Sequence, residues 1–201
     1  MDLGALVSPA HTALVTVECQ ENVIGSASVL PALADEARAA GLVAKVATLV
    51  GAARAAGVDV VHCTARARAD RKGSNRNARL FGAVAKAKGP VDERAFRVVD
   101  GIGVEESDLA LSRLHGLSPM DGTDLDAVLR NLDCTTIVAV GVSLNIAVTN
   151  LAFDAVNRGY QVVVPRDAVV GVPREYADAV ITNTLSFVAT ITTTEALLAA
   201  W

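Results

Sequence analysis

Apolar residues recur along this chain in two alternating rhythms. Short runs dense in Val, Ile and Thr, at Thr12–Val17, 58–62, Thr136–Val142, Gln161–Pro165 and 190–193, are apolar at nearly every position and predict strands buried on both faces. Strands of that kind belong in a parallel sheet covered by helices on each side. Between them, Val46, Leu49, Val50 and Ala53 fall on one helical face, and Gly57 stands where a left-handed cap would end that helix. Val148, Leu151, Ala152, Ala155 and Val156 repeat the pattern before Gly159, and residues 124–132 and 176–189 predict two further helices. A further strand is expected at 108–111, which makes the whole a repeated strand–helix order with no internal sequence repeat.

Two stretches break the rhythm and are expected to be surface loops or lids. Residues 66–79 are basic and polar, with Arg66, Arg68, Arg71, Lys72, Arg76 and Arg79, and residues 88–118 are mixed, with Lys88, Pro90, Gly101, Gly103 and Gly116. A charge run is usually a solvated face. This one follows directly on a strand's C-terminal end, where open α/β sheets bind ligands.

Length and composition narrow the class. At 201 residues the expectation is one domain spanning 1–201, and 52% hydrophobic residues with only 3% aromatics call for a core built from Ala, Val and Leu. The net charge of −4 argues against a general nucleic-acid binder and favours a small-molecule substrate. The richest apolar stretch, 137–148, is broken by Gly141, Ser143 and Asn145, so no membrane span is expected. Residues 1–10 carry an acid at Asp2 and no basic segment, which makes a cytoplasmic location the expectation. Cys19, Cys63 and Cys134 form an odd, widely spaced set without a C-x-x-C pair, as expected of reduced thiols rather than disulfides or a zinc site. No cofactor is called for.

Residues able to carry chemistry gather at the predicted C-terminal strand ends. Glu18 and Gln20 follow the first strand, His62 closes the second, and Gly141-Val-Ser-Leu-Asn145 turns from the strand at Thr136 into the next helix. Such a turn presents free N–H groups and a helix N-terminus to an anion or oxyanion, although Ser143 or Asn145 also reads as a simple helix cap. G-x-G-x-x-G, Walker A and G-x-S-x-G patterns are missing, which removes dinucleotide, P-loop and serine-hydrolase readings.

Taken together, Ala13-Leu-Val-Thr-Val-Glu-Cys-Gln20, Ser118-Pro-Met-Asp-Gly-Thr123, Gly141-Val-Ser-Leu-Asn-Ile-Ala147, Gly159-Tyr-Gln-Val-Val-Val164 and Asp167-Ala168 resemble, in order and spacing, the isochorismatase-like hydrolases, the superfamily that includes the nicotinamidase-related cysteine hydrolases. The resemblance implies a three-layer, doubly wound, Rossmann-like fold with a six-stranded parallel sheet and helices on both faces, assembled as a homo-oligomer, a dimer or tetramer. It also implies a first-strand Asp, a Lys before the S-A-F-x-G-T segment and a nucleophilic Cys in the helix after G-V-x-T.

This chain departs from the family pattern at all three positions. The Asp position holds Glu18, residues 111–117 contain Arg113 and His115 but no Lys, and the Cys position holds Ala147. An alanine has no lone pair to attack with, so a thioester route cannot run through it. The isochorismatase branch, as the resemblance implies, also lacks the Cys and protonates its substrate from the first-strand carboxylic acid. Such a role in general requires burial to favour the acid form.

Glu18, Arg113 and Ala147 therefore make up the expected catalytic position. Arg113 orients Glu18 or the substrate's anionic group, and Gln20, His62, His115, Ser143 and Asn145 are the substrate-binding candidates. Two other readings stay open. One is an inactive ligand-binding or scaffolding descendant in which Glu18 simply pairs with Arg113. The other is an amidase using Cys63, next to His62, as a relocated nucleophile. The loop after His62 contains no histidine, so no metal site of the zinc-binding nicotinamidase kind is expected.

Overall fold

The computed structural model describes residues 2–86 and 93–201. Seven strands form one sheet: β1 (Thr12–Val17), β2 (Asp59–Ala65), β3 (Leu109–Arg113), β4 (Thr136–Val142), β5 (Gln161–Pro165), β6 (Val169–Val170) and β7 (Thr190–Thr192). Their order is β3-β2-β1-β4-β5-β7, with the short β6 pairing β4 beyond the end of β5, and every pairing is parallel. The expected α/β architecture is observed, with β6 added to the six strands.

Among the described residues eight α-helices accompany the strands: α1 (Leu3–Leu6), α2 (Pro31–Ala39), α3 (Leu42–Ala56), α4 (Arg79–Lys86), α5 (Leu125–Asn131), α6 (Thr149–Asn157), α7 (Arg174–Asn183) and α8 (Thr194–Ala200). Alternation along the strands supplies two cores. Leu14, Val60, Val138 and Val163 meet Leu33, Val46, Leu49, Ala53 and Leu197 on one face. Val15, Val61, Ile137 and Val162 meet Leu125, Leu129, Leu151, Ala155 and Ile181 on the other. β1, β2, β4 and β5 are buried on both sides, which is why their runs lack a polar phase, whereas β3 and β7 are more exposed. Among the described residues no single helix is long and apolar enough to cross a membrane.

Three expectations change. The helix expected at 176–189 starts earlier, behind Pro173, and gives way after Asn183 to a 3₁₀ turn at Leu185–Phe187, where Thr182 and Thr184 disfavour continuation. Residues 88–118 are not simply a surface loop. Ala95, Val98, Val99 and Ile102 are buried, Val98 bridges Gln20 antiparallel, and β3 closes the segment; Lys88 and Pro90 lie outside the described residues. The second strand runs on past 62 to Ala65, because Thr64 and Ala65 find ladder partners in Ser112 and Arg113.

His62 therefore lies three residues short of the strand's end, on the face toward α3. Its ring is fully buried, with Nδ1 2.8 Å from the Thr16 hydroxyl and Nε2 3.3 Å from the Asp108 carboxylate, which Arg54 of α3 also holds, its Nε donating at 3.1 Å. A carboxylate only accepts, so Nε2 carries the proton and Nδ1 accepts from Thr16. Burial lowers the His62 pKa despite Asp108 beside it. Burial pushes the Asp108 carboxyl up, but Arg54, the Glu105 N–H and His62 together hold it below the ordinary range.

Two outcomes follow for stability. Because folding favours neutral His62, its contribution is fully present above the ordinary histidine value of 6.5 and is lost as pH falls below it. Urea midpoints should thus fall on acidification from neutral pH toward 5, and His62→Gln, though less stable throughout, should show a flatter profile over that window. At Gly141 (φ +108°) an added Cβ would stand 2.3 Å from the Val17 carbonyl oxygen. Gly141→Ala should lower unfolding free energy by about 3 kcal/mol, combining left-handed strain with overpacking, as read from the same urea curves.

Candidate active site

The sheet's strand order reverses between β1 and β4, and the crevice at their carboxyl ends is where such sheets bind ligands. Glu18 leaves β1 in a left-handed conformation (φ +50°), its N–H donating to the Cys63 carbonyl at 2.9 Å. Arg113, the last residue of β3, reaches across the end of β2, and its Nη2 donates to the Glu18 carboxylate and, at 3.4 Å, to the Leu117 carbonyl. The Arg113 side chain is 5% exposed and that of Glu18 17%, so the ion pair is largely removed from water. Arg113 Nε and Nη1 have no hydrogen-bond partner.

On the β4 side the chain passes into a wide π-helical turn at Leu144–Val148, with the Val148 N–H donating to the Ser143 carbonyl at 3.1 Å. Ser143, Asn145 and Ala147 line a cavity of about 340 Å³ that Glu18 also lines. Ala147 is 3% exposed and contributes only a methyl group. Asn145 donates from Nδ2 to the Val172 carbonyl at 3.3 Å, while its Oδ1 is unpartnered. A second cavity of about 390 Å³, with Glu18, Arg113 and His115 in its wall, shares Glu18, Leu30 and Leu80 with the first.

Glu18, Arg113, His115, Ser143, Asn145 and Ala147 are thus brought to one crevice, and two other candidates are not. Gln20 is fully buried, with Nε2 donating to the Ala65 and Phe96 carbonyls at 2.9 and 2.8 Å and Oε1 accepting from the Ala65 N–H at 2.8 Å. Its amide is consumed in tying the loop after β1 to the end of β2, leaving nothing to offer a substrate. His62 is held in the α3-side core by Thr16 and Asp108, away from both cavities. Residues outside the candidate set also enter: Asn22, Leu80 and Phe81 line the larger cavity, together with Arg71 and Arg76 of the basic stretch. The signal for the arginines was the position of the basic stretch directly after β2, whereas nothing local marks Asn22.

The cysteines are poor nucleophiles where they stand. Burial pushes the Cys63 thiol up to about 12, with Arg113 pulling it down and Glu18 pushing it up; burial, then Glu18, takes Cys19 to about 12 as well. Cys134, raised to about 11 first by burial, precedes β4 and lies at the opposite edge of the sheet. The thiolate that an amidase route through Cys63 needs is therefore not available near neutral pH.

The isochorismatase domain matches residues 12–196 of the chain. A cysteine hydrolase from Pseudomonas syringae pv. phaseolicola 1448A is similar at 24% identity, covering 97% of this chain and 94% of that one, with a TM-score of 0.83. The N-carbamoylsarcosine amidase of Thermoplasma acidophilum is similar at 24% identity over 92% of this chain and 97% of that one (TM-score 0.72). The pyrazinamidase of Pyrococcus horikoshii, solved with zinc, is similar at 20% identity over 91% and 99% (TM-score 0.70). No curated protein matches the chain. Among the described residues no group of three or more His, Cys, Asp or Glu side chains is gathered as a metal ion would require.

Native protein should accordingly take up no iodoacetamide at Cys19, Cys63 or Cys134 near neutral pH, as read by intact mass. Ala147→Cys should add a single labelled thiol, because that position lines the cavity at the start of a helical turn. Alkylation of Cys63 at a comparable rate would show that its burial is not maintained in solution.

Proposed function

The chain belongs to the isochorismatase family, and from that premise we propose that it hydrolyses a small molecule by non-covalent acid–base chemistry through Glu18, without a cysteine nucleophile. The observation that carries this reading is the Glu18 carboxyl group, held on Arg113 in a crevice where position 147 offers only the methyl group of an alanine. The Glu18 carboxyl group is held by the Arg113 guanidinium. It accepts a proton from water as the water oxygen bonds to the substrate's electrophilic carbon, and it returns that proton to the leaving group as the scissile bond breaks. Arg113 holds the carboxylate in place, and the turn at Ser143–Ala147 faces the oxygen on which negative charge develops. In a substrate whose cleavage begins by protonation, the same carboxyl group moves the proton in the opposite order.

A specific observation also favours a second reading, a ligand-binding descendant without turnover. Residues 111–117 contain no lysine, and Arg113 already occupies Glu18. Turnover separates the two. Hydrolysis of a panel of small amides, esters and enol ethers, followed by NMR of the products, should detect a substrate whose turnover drops roughly 10²-fold in Glu18→Gln, the scale of losing a general acid–base group. Turnover should survive iodoacetamide, and no acyl adduct should appear in the intact mass. Hydrolysis undiminished in Glu18→Gln, or an adduct trapped on Cys63 or Cys19, would remove the acid–base reading. Ligand binding without any turnover would leave the second one.

A further inference from the structure

The larger cavity beside Glu18 has an unusual charge balance for an acidic chain. Of its ionic wall residues, Arg113 is neutralised by Glu18 and Arg66 by Glu93, while Arg71 and Arg76 have no acidic partner among the described residues. Two uncompensated cations thus stand at one cavity of a chain whose net charge is −4. Arg71 moreover holds a left-handed backbone (φ +54°), a conformation uncommon outside glycine and concentrated at ligand sites. Apart from Asn22, Ser74, Asn75 and His115, the rest of the wall is apolar. Leu80, Phe81 and Val84 of α4 turn half-buried side chains to the cavity while Arg79 and Lys86 stay exposed, so α4 is amphipathic with this cavity as the recipient of its apolar face.

From this juxtaposition we infer that the substrate is an amphipathic organic anion: its apolar body lies against Leu80, Phe81 and Val84, and its anionic group meets Arg71 and Arg76. The inference rests on the hydrolase reading for where the bond breaks, since Glu18 is shared by this cavity and the one bearing Ala147. A volume of about 390 Å³ accommodates a body of roughly octanoyl size. Two partly exposed guanidinium groups supply selection for the anion and a salt-dependent capture, whereas the apolar wall supplies affinity in proportion to the area it covers.

Calorimetric titration of the whole chain with octanoate, octanol and acetate tests the two halves separately. Octanoate should bind more tightly than either octanol or acetate, and its affinity should fall as salt is raised. The double substitution Arg71→Gln with Arg76→Gln should weaken octanoate about fivefold or more and leave octanol unchanged, the scale of losing two partly exposed charge contacts. Phe81→Ser should weaken octanoate and leave acetate unchanged. Octanol binding as tightly as octanoate, or octanoate undiminished in the double variant, would overturn the inference. Turnover confined to neutral substrates and indifferent to the double variant would also overturn it while leaving the hydrolase reading standing. Octanoate binding with the expected response in a chain that turns nothing over would do the reverse.

Discussion

At the carboxyl edge of the sheet, the backbones of β1 and β4 pass each other at Val17 and Gly141 with no space for a side chain between them. The rest of the site depends on that approach. It makes neighbours of two strands separated by more than a hundred residues, and it puts the reversal of strand order there, so the chain leaves β1 and β4 toward opposite flanks. A crevice opens between the departing segments. Glu18 stands on one lip in a left-handed conformation, and the turn carrying Ser143, Asn145 and Ala147 forms the other. The Gly141 N–H also ties in the loop after β5, donating to the Ala168 carbonyl at 2.9 Å, so one small residue joins three segments of the edge.

Two buried ionic systems lie in this structure, and they differ in how fully they are satisfied. Around Asp108, the Arg54 guanidinium, the Glu105 N–H and His62 converge, and His62 passes its second nitrogen to Thr16. Every polar group in that chain has a partner, as a low-dielectric interior requires, and its work is to pin α3 and the approach to β3 onto the sheet. Around Glu18 the accounting is incomplete. Arg113 donates through Nη2 and leaves Nε and Nη1 unpartnered, and Asn22 and Asn145, each in the wall of a cavity that Glu18 also lines, leave their Oδ1 atoms unpartnered. Unmade hydrogen bonds of buried groups are costly, and several of them fall at this one crevice.

Replacing a thiol by a methyl at Ala147 shifts the demands on the remaining groups. On the proposed route without a covalent intermediate, the attacking group is water, and it must be oriented and deprotonated at the moment of attack. That proposal places the burden on Glu18, which stands next to a guanidinium rather than an ammonium. Arg113 differs from a lysine in being planar, permanently charged and able to hold a carboxylate while keeping further N–H groups for a second acceptor. The thiols that remain are sealed in the cores, where burial keeps them protonated.

What this sequence determined by itself is what local pattern can carry. Unbroken Val, Ile and Thr runs marked strands buried on both faces, and the spacing of Val46, Leu49, Val50 and Ala53 marked α3. The order of motifs around Glu18, Gly141 and Ala147 marked the family. Each of these signals is held within a few residues of its own position. What only the tertiary structure decided depends on which distant segments meet. His62 reads as the end of a strand until β3 supplies Thr64 and Ala65 with ladder partners, which draws the imidazole into the core. Gln20, beside Glu18 in sequence, spends its amide on Ala65 and Phe96 because the loop after β1 folds onto the end of β2. The basic stretch after β2 shares a cavity wall with the apolar face of α4 only once the chain has folded. Periodicity records which face of an element is buried, and it carries no record of what buries it, since that contact is made by residues far away along the chain.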